Sequence, residues 1–279
     1  MHPHDDFEAR AAQIKSKCPL AGTDVPHGVT AVSGTLEAIH AKMRARLAKS
    51  SMTPEQLAEA NRKRLAALDA EMHFASTPEG RFASVVGKAY ARLRLSNFQT
   101  TDLNGVTIPR AVEVLRVLQG MADHISDAIK ANRQLVLYGR PGAGKDHLVA
   151  GLLWEAQQAG HSIKWLNGER FAALVRDQQD FNNHQSVTEL IRQWVTPAVL
   201  VISDPDGEAT KIPDSVKQRL YDVIDARIRQ GKPVWVTING NSEQDISNRL
   251  GARIYDRLRQ GAWILHCDWA SRRTPRGTV

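Results

Sequence analysis

The fold is decided by the stretch LVLYGRPGAGKDHLVAGLL, residues 135–153. A short apolar run leads into glycines at positions 139, 142 and 144, and a helix-like apolar pattern follows Lys145. Glycines let backbone N–H groups turn inward toward an anion, and the start of a helix adds positive charge there. The pattern therefore predicts a loop that binds the phosphates of ATP or ADP between a strand and a helix. The predicted contacts are Gly139, Pro141, Gly142, Ala143, Gly144, Lys145, Asp146 and His147.

Two residues depart from the usual form of such a site. The position after Lys145 normally holds a serine or threonine whose hydroxyl binds Mg²⁺, and this chain has Asp146 there. The run VLVISD, residues 199–204, ends in Ser203 and Asp204, whereas P-loop ATPases have an acidic pair at this place. A carboxylate beside phosphates is repelled unless a cation lies between them. Both departures therefore concern how a metal would bind.

Two explanations of these departures remain open. In the first, the loop supplies the carboxylate and the strand supplies the hydroxyl, so that Mg²⁺ binds through Asp146, Ser203 and Asp204 with the ordinary roles exchanged. In the second, both changes mark decay, and nucleotide binds weakly or not at all. Asp206 offers a further carboxylate close by in sequence. The expected activity is weak hydrolysis of ATP.

Strands and helices alternate after residue 133. Strands are predicted at QLVLYG, SIKWLN, AVLVIS, PVWVTING and AWILHCDW. Helices are predicted for residues 145–158, 168–177, 186–194, 214–230 and 243–259, and a further amphipathic helix carries Leu115, Leu118, Ala122, Ile125 and Ile129. Such alternation predicts an α/β fold in which helices cover both faces of a parallel sheet.

The chain before this domain has a different character. Residues 1–34 are predicted to form an irregular arm, and residues 35–91 a small, charged, all-helical region. A capping box at Thr53 and Gln56 starts one helix, and TPEG at residue 77 starts another that carries Phe82, Val86, Tyr90 and Leu93. This region is either a solvated helical hairpin or a docking module for another protein. Residues 92–279 form the predicted α/β domain.

Composition limits the classes of function. The chain has 279 residues, and 42% of them are apolar, which is enough for a core. It has no apolar run long enough to cross a membrane and no apolar stretch near its N-terminus, so a cytoplasmic protein is expected. The cysteines, Cys18 and Cys267, match no metal-binding spacing. The net charge of +7 favours a polyanionic partner such as nucleic acid.

The order of four segments carries a resemblance to a known family. LVLYGRPGAGKDHLVAGLL is followed by VLVISDPDG, then LYDVIDARIRQGKPVWVTING, then NRLGARIYDRLRQGAWILHCDWASRR. This series resembles the DnaC/IstB group of AAA+ ATPases, which are bacterial and phage helicase loaders and transposition ATPases. The resemblance covers residues 92–279 and is most specific in the C-terminal segment. It implies an AAA+ P-loop fold with a reduced helical lid.

The resemblance also implies roles for single residues. Lys145 looks like the phosphate-binding lysine, and Asp204 falls where the family has the acidic residue that polarises the attacking water. Asn239, at the end of the fourth predicted strand, looks like the polar sensor that holds this water or the γ-phosphate.

Arginines near the C-terminus resemble the family's remaining catalytic groups. Arg253, in GARIYDRL, is similar to an arginine finger that reaches the nucleotide of a neighbouring subunit, where its planar cation offsets phosphoryl charge. Arg257 is the next candidate for that role. Arg273, in WASRR, matches the second sensor arginine, and Arg272 competes with it. A finger of this kind implies self-association.

The resemblance implies three possible functions. The leading one is an ATP-dependent loader that binds single-stranded DNA and delivers or opens the replicative helicase, which its N-terminal region would grip. The alternatives are an IstB-like transposition ATPase acting on duplex DNA, and a nucleotide-dead adaptor that works only by binding partners. A basic groove for single-stranded DNA is predicted from Lys164, Arg170, Phe171, Arg176, Phe181 and Arg192, although Phe171 also fits a core position.

Overall fold

The computed structural model describes residues 53–177, 187–206 and 212–272. The chain divides into two compact units, Met1–Ala67 and Leu68–Val279. No helix of the described ranges is long and apolar enough to cross a membrane. Several predictions fall outside these ranges: the irregular arm, the helix predicted from Thr35, Cys18, Phe181 and Arg273.

The described part of the first unit begins at a helix cap. Helix α1 (Pro54–Ser76) starts at the predicted capping box. The backbone N–H of Thr53 donates to Gln56 Oε1 at 2.9 Å, and the N–H of Gln56 donates to Thr53 Oγ1 at 3.3 Å. These two bonds satisfy N–H groups that the first helical turn leaves without partners. The sequence prediction of this helix start is confirmed.

The second helix ends earlier than its apolar pattern predicts. Helix α2 (Pro78–Val86) is capped by Thr77, whose hydroxyl accepts a bond from Gly80 N at 3.0 Å. It ends at Gly87, where φ is +89°, a conformation that stops an α-helix. Tyr90, predicted to continue the helix, therefore lies in a turn, and Leu93 lies in irregular backbone beyond it.

Two further helices precede the sheet. One helix was predicted through Ile129, but the structure has α3 (Pro109–Asp123) and α4 (Ile125–Lys130). The break lies at His124, where φ is −124° and ψ is 36°. Apolar spacing continues across the break, with Met121, Ile125 and Ile129 all buried, so periodicity alone does not reveal it.

The predicted parallel sheet is confirmed. Its five strands run in the order β2-β3-β4-β1-β5, and every described pairing is parallel. The strands are β1 (Gln134–Gly139), β2 (Ile163–Asn167), β3 (Val199–Ser203), β4 (Val234–Asn239) and β5 (Ala262–Cys267). The helices that follow α4 are α5 (Lys145–Gln158), α6 (Gly168–Asp177), α7 (Val187–Val195), α8 (Asp214–Arg229), α9 (Glu243–Leu250) and α10 (Ala252–Arg259). The single helix predicted for residues 243–259 is thus two helices, divided at Gly251 with φ of +93°.

The core consists of two apolar layers, one on each face of the sheet. Because side chains alternate along a strand, Leu135 and Leu137 face one layer and Val136 faces the other. Helices α3, α4 and α5 cover the first face, and α8, α9 and α10 cover the second. Phe171 is 1% exposed and packs on Trp194 with ring centroids 4.9 Å apart, so it is a core residue. Of the two places that the sequence allowed for Phe171, the core position is the one observed, and a side chain buried in this way cannot stack on a base.

One cation is part of this core. Arg227, on α8, has no exposed surface, and burial lowers the pKa of its guanidinium to about 9, which leaves it charged at neutral pH. It donates to backbone carbonyls at distances of 2.8–3.4 Å, and these belong to Trp194, Val195, Pro197, Ala198 and Pro233. The side chain therefore ties the end of α7 to the starts of β3 and β4.

Candidate nucleotide-binding site

The candidate site lies where the carboxyl ends of the strands meet the start of α5. In the register of the sheet, Gly139 lies between Asn239 and Cys267, and Ser203 lies beside Thr237. Ligands of open α/β sheets bind at this edge, outside the carboxyl ends of the strands. The residues predicted from β1, β3 and β4 are therefore brought to one place.

The loop before α5 has the shape of a phosphate cradle. Gly142 and Gly144 have φ of +79° and +88°, which side chains rarely adopt. A Cβ at Gly142 would overlap the side chain of Ser271, and one at Gly144 would overlap the ring of Phe98. The loop therefore needs glycine both for its backbone angles and for its close packing. A glycine-rich turn of this kind can direct backbone N–H groups toward a bound anion.

Lys145 and Asn239 are in direct contact. Lys145 is 6% exposed, and its Nζ donates to Asn239 Oδ1 at 2.8 Å, Arg140 O at 2.9 Å and Gly139 O at 3.2 Å. The ammonium is thus fixed at the base of the loop by oxygen atoms of β1, of the loop itself and of β4. The sequence predicted both residues for the site, and the structure places them together.

Asp146 lies in a cluster of hydroxyl groups. Ser203 Oγ is 3.0 Å from each carboxylate oxygen of Asp146, and Thr237 Oγ1 donates to Oδ1 at 2.6 Å. The hydroxyl of Tyr90 adds a longer bond to Oδ2 at 3.3 Å. The two departures from the usual pattern, Asp146 and Ser203, are therefore in contact with each other, and Ser203 is buried behind Asp146 without lining the cavity.

Asp204 follows β3 in an unusual backbone conformation. Its φ is +43°, and its N–H donates to the carbonyl of Thr237 at 2.9 Å. Gly168 packs against the carbonyl of Asp204 so closely that a Cβ at Gly168 would overlap it. Asp206 points elsewhere: its side chain is 2% exposed and pairs with Arg249 at 3.0 Å. The structure thus separates the two carboxylates, and Asp204 is the one at the candidate site.

These elements enclose a cavity of 340 Å³. Its volume lies within the range of about 300–1,000 Å³ that small-molecule sites usually have. Of the predicted loop contacts, Gly139 and Ala143 do not line it; Ala143 is buried, and its carbonyl accepts a bond from Trp269 Nε1 at 2.7 Å. The lining residues are Tyr90, Leu93, Pro141, Gly142, Gly144, Lys145, Asp146, His147, Asp204, Asn239 and Arg272.

His147 joins α5 to the segment before α3. Its Nε2 lies 3.0 Å from Arg94 O and 2.8 Å from Asn97 Oδ1, and the ring of Phe98 meets the imidazole edge-on at 5.2 Å between centroids. Burial lowers the pKa of His147, which favours a neutral ring at pH 7. The side chain therefore holds one wall of the cavity in place without adding charge.

The donor set of the site suits a hard cation that also binds phosphate. Among the described residues, no group of three or more His, Cys, Asp or Glu side chains could hold a metal ion. Mg²⁺, however, usually takes one or two carboxylates and completes its shell with substrate phosphates and water. Asp146 supplies one such carboxylate, with the hydroxyls of Ser203 and Thr237 beside it. The residues present therefore fit a nucleotide-bound Mg²⁺.

The predicted arginines lie at different places. Arg272 lines the cavity, and its Nη1 contacts the carbonyl of Thr101. Arg253 and Arg257, on α10, do not line it. The guanidinium of Arg253 lies 4.4 Å from the ring centroid of Tyr221, and Arg257 Nε is 3.2 Å from Asp225 Oδ1.

The structure adds Thr237 and Tyr90 to the site. Thr237 lies two residues before Asn239, so strand alternation puts both on one face of β4, and this signal was available in the sequence. Tyr90 lies in a turn far from the loop in sequence, where no periodic pattern could connect it with Asp146.

Comparison with known proteins identifies a family that this chain matches. A family model described as IstB-like ATP binding protein matches residues 110–273. The replicative helicase loader DnaC of Escherichia coli K12 is 26% identical over 141 residues, which are 50% of this chain and 56% of that protein. The match has the same extent in DnaC of Shigella flexneri. The chain thus spans about half the length of these curated relatives.

Solved structures share the fold. The crystal structure of the DnaC helicase loader superposes with a TM-score of 0.53 and 17% identity, covering 64% of this chain and 98% of that one. The crystal structure of DnaI superposes with a TM-score of 0.52 and 17% identity, and the match covers 69% of this chain and 100% of that one. The structure of a putative primosome component from Streptococcus pyogenes has a TM-score of 0.52 and 22% identity, and the match covers 68% of this chain and 94% of that one. At these identities the likeness shows the fold alone, and the predicted AAA+-like architecture is confirmed.

Proposed function

Because the chain belongs to the family of IstB-like ATP-binding proteins, we propose that it is a helicase loader of the DnaC type that binds and slowly hydrolyses ATP. One observation carries the nucleotide part of this proposal: Lys145, Asp204 and Asn239 line a single cavity at the carboxyl edge of the sheet. The similarity to DnaC supports the loader part.

Each residue of the cavity has a distinct task in this proposal. The loop N–H groups and Lys145 bind the phosphates of ATP, whose hydrolysis supplies the driving force. Asp204 orients and polarises the attacking water, and Asn239, fixed by its bond to Lys145, holds that water or the γ-phosphate. Arg272 lines the cavity from the C-terminal segment and adds a cation near the phosphates. Arg273, the other candidate for that role, stays a prediction.

Asp146 and Ser203 would hold Mg²⁺ with the usual roles of loop and strand exchanged, with Asp204 beside them. The contact between the two side chains supports this arrangement. In a decayed site, nothing would select for a loop carboxylate that is hydrogen-bonded to the hydroxyls of Ser203 on β3 and Thr237 on β4. A carboxylate here also repels triphosphate when no cation is bound. Binding of ATP is therefore expected to depend strongly on the metal.

An Asp146 series tests this exchange. Asp146→Ala is expected to remove most of the Mg²⁺-dependent gain in ATP affinity, about tenfold or more, because no carboxylate remains on the loop. Asp146→Thr should lose less of the Mg²⁺-dependent affinity for ATP. The double variant Asp146→Thr with Ser203→Asp should recover that affinity, because it restores the usual hydroxyl on the loop and the usual carboxylate on the strand. Titration of a fluorescent ATP analogue with and without Mg²⁺ measures the difference. Asp127→Ala, an exposed carboxylate on α4, is the control. If neither single variant changes Mg²⁺-dependent binding, the exchange is wrong.

The proposed partner of the loader is the replicative helicase. The helical N-terminal region of residues 35–91 would grip it, while the ATPase domain changes state with nucleotide. We expect the full chain to co-purify with the helicase of its host when ATP and Mg²⁺ are present. The Lys145→Ala variant should co-purify with less helicase under the same conditions. A complex with a transposase in place of the helicase would instead select the IstB-like alternative, which the description of the matching family model favours.

Single-stranded DNA is the proposed nucleic-acid ligand. Arg170 and Arg176 are exposed on α6, and Lys164 is half-buried on β2. Arg192 forms an ion pair with Glu189 on its own helix at 2.8 Å, so it is less available to bind DNA phosphates. The net charge of +7 supports a backbone-tracking mode in which affinity falls as salt rises. Affinity that is unchanged between low and high salt would remove this surface from the proposal.

A further inference from the structure

The ends of β3 and β4 carry the two polar groups assigned to the attacking water. Asp204 is the first residue after β3, and Asn239 is the last residue of β4. The N–H of Asp204 donates to the carbonyl of Thr237 at 2.9 Å, and beyond this bond no backbone hydrogen bond between described residues joins the two turns that follow the strands. The pairing of β3 with β4 therefore ends just before the place where Asp204 and Asn239 have to act together.

Arg249, on α9, joins these two turns through its side chain. Its Nη1 donates to Asp206 Oδ2 at 3.0 Å, and its Nε donates to Asp245 Oδ1 at 3.0 Å. The second oxygen of Asp245, Oδ2, accepts a bond from the backbone N–H of Asn241 at 3.0 Å. One guanidinium thus connects the turn after β3 with the turn after β4.

The bridge meets both turns at equivalent places. Asp206 lies two residues after Asp204, and Asn241 lies two residues after Asn239. A planar guanidinium donates along fixed directions, so it holds two carboxylates at set positions in a way that a flexible ammonium does not. A shift of one turn relative to the other would lengthen at least one of these hydrogen bonds. The separation of Asp204 from Asn239 is therefore coupled to Arg249.

The burial of this network favours a positioning role over a purely stabilising one. The side chain of Asp206 is 2% exposed, and among the described residues Arg249 is the one cation within ion-pair distance of it. Desolvation of a buried ion pair offsets much of its attraction, so apolar residues of similar volume give comparable stability. The N–H of Asn241 and the hydrogen bond from Arg249 lower the pKa of Asp245, so this carboxyl is also charged at neutral pH. Fixed geometry explains such a set of charges better than stability does.

We propose that Arg249 is a positioning residue for hydrolysis of ATP, which holds the turn carrying Asp204 at a fixed distance from Asn239 so that both groups meet one water molecule. Arg249 does not line the nucleotide cavity, so it acts through the two turns and not on the nucleotide itself. The inference rests on the proposed function, since it needs a chain that turns over ATP. Phosphate binding depends on the glycine loop and Lys145, which belong to other elements. Loss of Arg249 should therefore lower the rate of turnover and leave the affinity for ATP.

Arg249→Met tests this role with an uncharged side chain of similar length. We expect turnover of ATP to fall about tenfold while the affinity for ATP with Mg²⁺ changes by less than about twofold, because misplaced groups slow the chemical step without weakening binding. Hydrogen exchange of the backbone amides of residues 240–246, measured without nucleotide, should become faster. Arg219→Met is the matched control: Arg219 pairs with Asp222 on its own helix, and its side chain is 41% exposed against 36% for Arg249. The control should keep the rate, the affinity and the exchange pattern of the unmodified chain.

A double variant separates positioning from stability. Arg249→Met leaves the buried carboxylate of Asp206 without its ion-pair partner, which should lower the melting temperature. Asp206→Asn in the same chain removes that charge, so the melting temperature should recover. Turnover should stay low in the double variant, because the bridge between the turns is still missing. Recovery of turnover together with the melting temperature would mean that Arg249 only stabilises the fold.

The outcomes also separate this role from the proposed function. Normal turnover by a folded Arg249→Met variant, or a loss of ATP affinity as large as the loss of rate, would overturn the positioning role and leave the proposed function in place. If the unmodified chain binds no ATP, or binds it without any turnover, the proposed hydrolysis is wrong and the role of Arg249 is overturned with it.

Discussion

Lys145→Ala is expected to weaken ATP binding by about 100-fold and to abolish turnover. The ammonium is fixed at the base of the loop by three oxygen atoms, and Lys145 lines the cavity beside Gly142 and Gly144. Hydrogen bonds to charged groups contribute about 1.5–3 kcal/mol each, and a triphosphate offers more than one acceptor. Titration of Mg²⁺ and ATP by isothermal calorimetry measures the affinity directly.

A matched lysine controls for the loss of positive charge. Lys130 is exposed at the end of α4 and does not line the cavity, so Lys130→Ala should bind ATP as the unmodified chain does. The melting temperature of Lys145→Ala without nucleotide shows whether the loop still folds. A well-folded Lys145→Ala variant that binds ATP with unchanged affinity would contradict the assignment of the cradle.

Arg227→Met is expected to lower the free energy of unfolding by about 3 kcal/mol. Methionine fills much of the same volume but donates no hydrogen bond, so the carbonyls of Trp194, Pro197 and Ala198 lose the donor that Arg227 supplies. Buried carbonyls without a partner cost about 1–3 kcal/mol each, and the gain from no longer burying a cation offsets part of that sum. Urea unfolding followed by circular dichroism measures the change.

Arg229→Met provides the comparison on the same helix. The side chain of Arg229 is 74% exposed and pairs with Asp225 at 2.8 Å, an interaction that contributes little in water. We expect its substitution to change the unfolding free energy by less than about 0.5 kcal/mol. Equal effects of the two substitutions would mean that Arg227 does not tie α7 to the sheet.

The sequence was sufficient for the sheet but not for every helix boundary. Each predicted strand is present because short apolar runs bounded by glycine, proline or polar residues have few other solutions in a parallel sheet. The errors lie at Gly87, His124 and Gly251, where a helix ends or is interrupted while the apolar spacing continues. A glycine inside a helical pattern either continues the helix or ends it, and tertiary packing decides between them.

In the candidate site, too, some residues could be predicted from the sequence and others could not. The loop, Lys145, Asp204 and Asn239 were predictable because they occupy fixed places relative to strands β1, β3 and β4. Tyr90 was not predictable, because its bond to Asp146 depends on a turn that follows Gly87 and brings a segment distant in sequence across the start of α5. Contacts of this kind depend on tertiary structure and have no local signature.

The packing of Asp146 against Ser203 limits which substitutions can accumulate during the evolution of this lineage. A second carboxylate at position 203 would lie within hydrogen-bonding distance of the first, and the two negative charges would repel each other whenever nucleotide and cation are absent. In descendants and relatives of this chain, an aspartate after the loop lysine should therefore be inherited together with a small hydroxyl residue at the end of the third strand. Reversion to the common pattern should require both codons to change, with the loop position changing first.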